Sequence, residues 1–586
     1  MITPGRMSSS AAAALGTMTT LAMLGCSSNN GIFGGGTGGA KDGGTDTPTD
    51  PAADAPSDSA ADEPSDGSLL PHVPDNVSIA AVAACTMAGI GATKLIADAA
   101  VTVLDVSTGS TGATTPTDAS QVDKPYCLVK VRVDPQVNIW VALPMTGWNG
   151  RIRAEGGGGY AGMLGIATDS VEQDFVGIRT DTGHSTGLVD GSFGMLSPGL
   201  PNTSLQIDFA YRSEHLMAVI GKQLVRAFYG QPQLRTYWYG CSTGGRQGLM
   251  MAQHFPDDFD AILAGAPAIH WDRFQAYQIW PQMVMNLDLG APIAPAKLAL
   301  AIQKSIASCD AADGVTDGLI DDPRNCHYAP SSDTSITTAT CTALDTTCLM
   351  PAEATAIEKI WGGSRAPSGT LLWPGLERGA DLTGLAGGMP FPIATEQPKY
   401  WVYFDPTWDW KTLTYQNYED FFFKTVDRVG PVIASDDPNL TPFAARGGKL
   451  LLFHGWADPL IMPQGTTRYF EAVGQALGAS VSQFAKLFMV PGMGHCSGGP
   501  GPNRFGFVPV GQGDPTDPDH NIFRALMAWS ERGVEPKAII ATKYNGDNPT
   551  QGIMRSRPLC PYPMVARYKG SGSTDDAANF NCMAPN

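Results

Sequence analysis

The run Gly240-Cys241-Ser242-Thr243-Gly244 sits between a short aromatic stretch, 236–239, and a small-residue segment with helical character that extends through Gln253. A G-x-S-x-G run in that position turns a strand sharply into a helix. The glycines are steric necessities, because side chains at the flanking positions would collide with neighbouring elements. The turn holds Ser242 in a strained conformation with its hydroxyl exposed, and the next amide, Thr243 N–H, points to the same place. A bare run of this pattern is often only a loop, and the strand–turn–helix setting is what gives it weight.

The flanking sequence supplies that setting. Residues 128–133, 138–143, 151–154 and 259–263 read as strands, and 216–228 has a helical apolar pattern. Strand, helix, strand in this order indicates parallel strands joined by crossover helices. After Pro267 the alternation stops, and residues 268–445 are rich in Trp, Tyr, Phe, Pro and Cys. A buried strand resumes at 449–454, followed by a helix near 466–477 and a strand at 486–490. The predicted class is therefore α/β, an α/β-hydrolase fold. Residues 71–267 and 446–586 form the catalytic domain, and 268–445 form a large inserted lid.

A serine nucleophile needs a base and an orienting acid. In this fold they follow in the order Ser, Asp, His, on loops after later strands. The strand at 449–454 runs into Gly455-Trp456-Ala457-Asp458-Pro459, and the next into Pro491-Gly492-Met493-Gly494-His495-Cys496. Asp458 and His495 occupy the expected places. His184 and His454 are read as structural, buried near the sheet, and His254 as a helix end. The Gly156–Gly159 run follows a strand and offers a second oxyanion N–H, assigned to Gly158.

The chain has 586 residues and a net charge of −18, which disfavours nucleic acid as a partner. Residues 27–70 hold eight acidic side chains, one Lys and almost no large apolar ones, so they read as a disordered tether. Residues 1–26 read as an export signal. Arg6 precedes a short apolar run, 11–24, which ends in Gly25-Cys26 like a bacterial lipobox. An ordinary cleaved signal is the alternative. On the lipobox reading Cys26 is lipidated, and membrane association is through that anchor.

Eleven cysteines less Cys26 leave ten, an even number suited to an oxidising compartment. Proximity pairs Cys85 with Cys127, Cys309 with Cys326, Cys341 with Cys348 and Cys560 with Cys582. Cys241 and Cys496 remain, each beside a candidate catalytic residue. A bond between them would bring the two loops together. Separate burial, other pairings or a Cys-His metal site remain open on the residues alone.

Asp310, Asp313 and Asp317 crowd three carboxylates among glycine turns. A hard cation such as Ca²⁺ would relieve their repulsion, with the carbonyls of Val315 and Leu319 completing the shell. A solvated acidic turn explains the spacing equally well.

Cys241-Ser242, Gly244-Gly245-Arg246-Gln247-Gly248, His454-Gly455-Trp456-Ala457-Asp458 and Gly492-Met493-Gly494-His495-Cys496 together resemble the tannase and feruloyl esterase family. The likeness covers nearly the whole chain after residue 75. It implies a Cys241–Cys496 disulfide and the four local pairs, and it implies a lid calcium on Asp310, Asp313, Asp317 and the Val315 and Leu319 carbonyls. It also implies esters of aromatic acids as substrates. At Gly157 relatives often carry Asn, a departure in the oxyanion run.

The expected activity is thus a secreted or surface-anchored serine esterase acting on feruloyl or galloyl esters. Trp361, Trp373, Trp401, Tyr403 and Trp408 are candidates to pack on the acyl ring, although each taken singly reads better as lid core. A terephthalate monoester hydrolase is an alternative within enzymes, with Arg365, Arg378, Lys399 or Lys411 meeting the free carboxylate. A catalytically silent surface-binding lipoprotein is the alternative of another class.

Overall fold

The central sheet is built from β1 (Val101–Ser110), β2 (Pro125–Val133), β3 (Val137–Pro144), β4 (Arg151–Glu155), β5 (Val176–Thr180), β6 (Arg235–Cys241), β7 (Ala261–Gly265), β8 (Lys449–Gly455) and β9 (Ala485–Val490). The computed structural model describes residues 82–112, 123–507 and 516–585. The signal segment with Cys26, and the tether 27–70, lie outside the described residues.

The nine strands lie in the order β1-β2-β3-β5-β4-β6-β7-β8-β9. From β5 through β4 to β9 every pair is parallel, and β1, β2, β3 and β5 are joined antiparallel. The parallel strands are buried along almost their whole length, since helices cover both faces. The edge strand β1 instead alternates between partly buried and exposed residues.

Sequence periodicity did not reveal β1. Its register slips between Val103 and Asp105, which breaks the two-residue alternation such a strand would show. β7 also runs later than its apolar run suggested, through Ala264 and Gly265. Small residues there are poor strand formers, but a Cβ on Gly265 would lie 2.2 Å from the Phe453 ring, so neighbouring β8 demands them.

The helices that matter for the site are α1 (Ser213–Tyr229), α2 (Thr243–His254), α3 (Trp271–Gln278), α4 (Trp280–Asp288), α5 (Pro295–Cys309), α6 (Pro351–Trp361), α7 (Tyr418–Ile433), α8 (Pro463–Leu477) and α9 (Ile522–Arg532). Five of them, α3 to α7, lie between β7 and β8, so this segment is more helical than its sequence pattern suggested. None of its residues joins the nine-stranded sheet. Its apolar core includes Tyr160, Phe193 and Phe209 from the sheet domain, so the two parts share one buried interior. The described residues all belong to one compact unit.

The C-terminal residues add two hairpins, β10 (Ile539–Tyr544) with β11 (Ile553–Leu559), and β12 (Val565–Tyr568) with β13 (Phe580–Met583). Disulfides join Cys85 to Cys127, Cys241 to Cys496, Cys309 to Cys326, Cys341 to Cys348 and Cys560 to Cys582. Every cysteine of the described residues is therefore bonded, as suits an oxidising compartment. Among the described residues no helix is long and apolar enough to cross a membrane.

In the inserted segment the Lys297 ammonium, on α5, is wholly buried. It meets Glu353 of α6 at 2.6 Å and donates to Thr342 O at 2.8 Å. Removing one partner would strand the other charge in a low-dielectric interior. Lys297→Met is expected to cost about 3–5 kcal/mol, read by denaturant unfolding. A loss below 1 kcal/mol would show that water reaches the pair.

Candidate active site

Ser242 joins β6 to α2 directly, at φ +62° and ψ −123°. A non-glycine residue in that region stores about 1–3 kcal/mol of strain, so neighbouring contacts must enforce it. Ser242 N–H donates to Gly265 O at 2.9 Å, and Ser242 O accepts from Ala268 N–H at 3.0 Å. A Cβ on Gly240 would lie 2.6 Å from the Gly244 carbonyl, and one on Gly245 equally close to Gly265 O. The glycines around the serine are thus fixed by backbone approaching backbone.

Asp458 follows β8 and His495 follows β9, as the strand order required. Asp458 is wholly buried. Its Oδ2 meets His495 Nδ1 at 2.7 Å and His454 Nε2 at 3.0 Å. Its Oδ1 accepts from the backbone N–H groups of Leu460 and Ile461, at 2.8 and 2.9 Å. Burial alone would raise this carboxyl's pKa. The His495 ring and the His454 hydrogen bond outweigh it and hold the group well below the usual carboxylate range. Asp458 is therefore a carboxylate aimed at one edge of His495, leaving Nε2 for another partner.

The Cys241–Cys496 disulfide links positions 255 residues apart and sets their Cα atoms 6.0 Å from each other. It ties the turn carrying Ser242 to the loop carrying His495. Among the described residues no hydrogen bond joins Ser242 Oγ to the His495 ring. Such contacts are often long without substrate and tighten in the reacting complex.

The glycine run after β4 comes alongside the start of α2. Gly157 N–H donates to Gln247 Oε1 at 2.9 Å, Gly159 O accepts from Thr243 Oγ1 at 2.5 Å, and Gly158 O accepts from Ala161 N–H at 2.7 Å. A Cβ built on Gly158 would meet nothing within 4 Å, so the face of this residue is open.

His454 is buried, as its sequence setting suggested, but it also orients Asp458. Its Nδ1 meets Thr466 Oγ1 of α8 at 2.8 Å. The four-residue spacing from Asp458 was the only sequence signal for that role. His184 stacks on Phe193 with centroids 3.6 Å apart, and burial lowers its pKa to about 4, so it stays neutral. His254 ends α2.

Trp361, Trp373 and Trp401 are buried within the core of the inserted segment, and Tyr403 and Trp408 pack against it. Trp401 Nε1 donates to Gly191 O at 3.1 Å, and Tyr403 stacks on Trp408. These contacts are those of core residues. The candidate cations are also engaged locally. Arg365 donates to Gly369 O, Arg378 to Tyr328 O, Lys399 pairs with Glu396, and Lys411 lies over Trp410.

In the acidic loop, Asp310 accepts from the N–H groups of Asp317 and Gly318, both at 2.9 Å. Asp313 accepts from Val315 N–H and Asp317 from Leu319 N–H. Asp317 also pairs with Arg555, at 3.2 Å, and with Arg557, both on β11. Asp321, which sequence spacing did not single out, joins this group. Burial and the Asp313 carboxylate push its carboxyl well above the ordinary range. The donor chemistry, all carboxylate and carbonyl oxygen, suits a hard cation. Among the described residues a compact ligand triplet occurs at Cys341, Asp345 and Cys348, but its sulfurs are disulfide-bonded and offer no thiolate.

The family described as tannase and feruloyl esterase matches residues 121–583. A probable feruloyl esterase of Arthroderma benhamiae is 33% identical over 467 residues, covering 76% of this chain and 82% of that protein. The mono(2-hydroxyethyl) terephthalate hydrolase of Piscinibacter sakaiensis is 32% identical over 510 residues, covering 75% and 80%. The crystal structure of feruloyl esterase B from Aspergillus oryzae has 28% identity and a TM-score of 0.73, over 83% of this chain and 98% of that one. The mixed sheet, the strand order and these likenesses make the fold an α/β hydrolase. The chain therefore belongs to the tannase and feruloyl esterase family and is a carboxylic-ester hydrolase.

Proposed function

We propose that the chain hydrolyses esters of aromatic acids, feruloyl or galloyl, by acyl transfer through Ser242, His495 and Asp458. The observation that carries the reading is the Asp458–His495 hydrogen bond on a loop disulfide-bonded to the strained serine turn. Ser242 Oγ attacks the ester carbonyl carbon while His495 Nε2 takes its proton. Thr243 N–H and Gly158 N–H receive the oxyanion. Collapse of the tetrahedral intermediate breaks the bond to the alcohol oxygen, which leaves with the proton from His495. Water, deprotonated by His495, then attacks the acyl-serine and releases the acid. Asp458 keeps the Nδ1–H tautomer and stabilises the imidazolium.

The names of the relatives support aromatic acyl groups, and a terephthalate monoester remains the second reading because one relative acts on it. The free carboxylate of that monoester calls for an uncommitted cation. Arg378 and Lys399 are held by Tyr328 O and Glu396, and Arg365 and Lys411 make only local contacts at exposed positions, so the reading given first is uncharged acyl rings. In this reading 268–445 is a lid over the site, and a lipidated Cys26 would hold the enzyme at a membrane surface through the tether.

Calcium belongs to the same proposal. Asp310, Asp313 and Asp317, with the Val315 and Leu319 carbonyls, would hold it, and Asp321 lies beside them. Bound there, the ion would neutralise crowded carboxylates and hold the loop closed. The loop also abuts the histidine loop, since Leu319 Cδ2 would lie 2.7 Å from a Cβ on Gly492.

Three measurements test these statements. Ser242→Ala should lower kcat/KM on an aryl ester by at least about 10⁴-fold at unchanged Tm. Full activity in that variant refutes the nucleophile, and inactivity of the unaltered enzyme favours a binding protein. In a panel of methyl ferulate, methyl p-coumarate, methyl gallate and mono(2-hydroxyethyl) terephthalate, the monoester should have the lowest kcat/KM. If it has the highest, the substrate assignment is wrong. Stripping Ca²⁺ with a chelator should lower Tm by several degrees, since a ligand at 100 times its Kd contributes about 2.7 kcal/mol. An unchanged Tm removes the metal from the account.

A further inference from the structure

Gly158 N–H and Thr243 N–H, the two proposed oxyanion donors, must be held at a set distance from each other. Gly158 belongs to a loop after β4, Thr243 to the first turn of α2. Two donors on different elements act together only if something fixes their separation. The glycines of the loop provide no such stiffness by themselves, because they lack the Cβ that restricts backbone rotation.

Side chains of α2 provide it, on both sides of Gly158. Thr243 Oγ1 donates to Gly159 O at 2.5 Å, and Gln247 Oε1 accepts from Gly157 N–H at 2.9 Å. Gly158's own carbonyl is taken by Ala161 N–H. The peptide that carries Gly158 N–H is thus held between pinned neighbours, the 156–157 peptide before it and the 158–159 and 159–160 peptides after it. Gln247 is buried and is itself oriented, because its Nε2 donates to Glu214 Oε1 on α1. Glu214 is wholly buried. Burial pushes its carboxyl up to about 7, with the Arg246 charge pulling the other way. A buried, unbroken chain therefore runs from α1 through Gln247 to the loop.

The close packing supports the same role. A Cβ on Gly156 would lie 2.6 Å from Gly244 Cα and 3.1 Å from Gln247 Oε1. The loop backbone can approach α2 only because glycine stands there. Gln247 fills the remaining gap with an acceptor rather than an apolar group, and a buried amide N–H left without one would cost about 1–3 kcal/mol.

We propose that Gln247 is a positioning residue for the esterase reaction: held by Glu214, its carboxamide fixes the Gly157 amide so that Gly158 N–H and Thr243 N–H converge on one oxyanion. The inference rests on the oxyanion assignment given above. It concerns a group that never touches substrate.

Gln247→Leu keeps the bulk and removes the acceptor. It is expected to lower kcat on an aryl ester about 10- to 100-fold with KM changed less than about 3-fold. Affinity for a trifluoromethyl ketone, which forms a tetrahedral oxyanion adduct on the serine, should fall by the same factor as kcat/KM. A merely structural role would not link those two quantities. The double variant Gln247→Glu/Glu214→Gln exchanges the partners while keeping an acceptor for Gly157 N–H. It is expected to recover most of kcat, and it reports on the proposal even if Gln247→Leu fails to fold. Unchanged kcat in folded Gln247→Leu, or a double variant no better than Gln247→Leu, overturns the positioning role. Equal activity of Ser242→Ala and the unaltered enzyme overturns the acyl-transfer reading instead, so the two failures are told apart.

Discussion

A serine held at positive φ between a strand and a helix is an unstable arrangement on its own, and the surrounding structure is arranged to enforce it. Gly265 O and Ala268 N–H grip its backbone, glycines let neighbouring strands approach, and a disulfide on the preceding residue ties the turn to the loop after β9. In the chain-entropy picture, closing a loop of 255 residues removes on the order of 5 kcal/mol of freedom from the unfolded chain. The same bond that stabilises the fold therefore limits how far His495 can drift from Ser242. Stability and site geometry are served by one covalent link.

Asp458 is held by a different device. Asp458 is wholly buried, a costly place for a charge, and the cost is offset by four contacts: two histidine rings and two backbone amides. His454 matters here because it comes from the end of β8 and is anchored in turn by Thr466 on α8. The carboxylate is thereby referred to the sheet rather than to a mobile loop. The glycine run is referred to α2 in the same way, through Thr243 and Gln247. Each group at the site is fixed by an element that also belongs to the buried interior.

The inserted segment is integrated rather than appended. Its aromatic residues share a core with Tyr160, Phe193 and Phe209, and its acidic loop reaches both the arginines of β11 and the loop that carries His495. The aromatic richness that suggests substrate contacts in the sequence is spent largely on this core. Composition reports how many rings a segment has, and only packing reports which way they face.

Local sequence settles the sharp turn at Ser242, the order in which Ser242, Asp458 and His495 follow their strands, and the alternation that makes an α/β hydrolase. These depend on local spacing and on glycine sterics, which neighbours along the chain settle. It also determined the four disulfides between cysteines close in sequence, whereas the Cys241–Cys496 bond came from family likeness. What depends on residues far apart in the chain is settled only when the fold brings them together. Examples are His454 turning toward Asp458, Asp321 joining the acidic loop, Arg555 and Arg557 reaching Asp317, and Gln247 holding Gly157. β1 was hidden for a related reason, since its bulge interrupts the period that marks a strand. A hydrogen bond between residues 90 positions apart leaves no mark on local pattern, because the energy that selects it arises only when both ends are buried together.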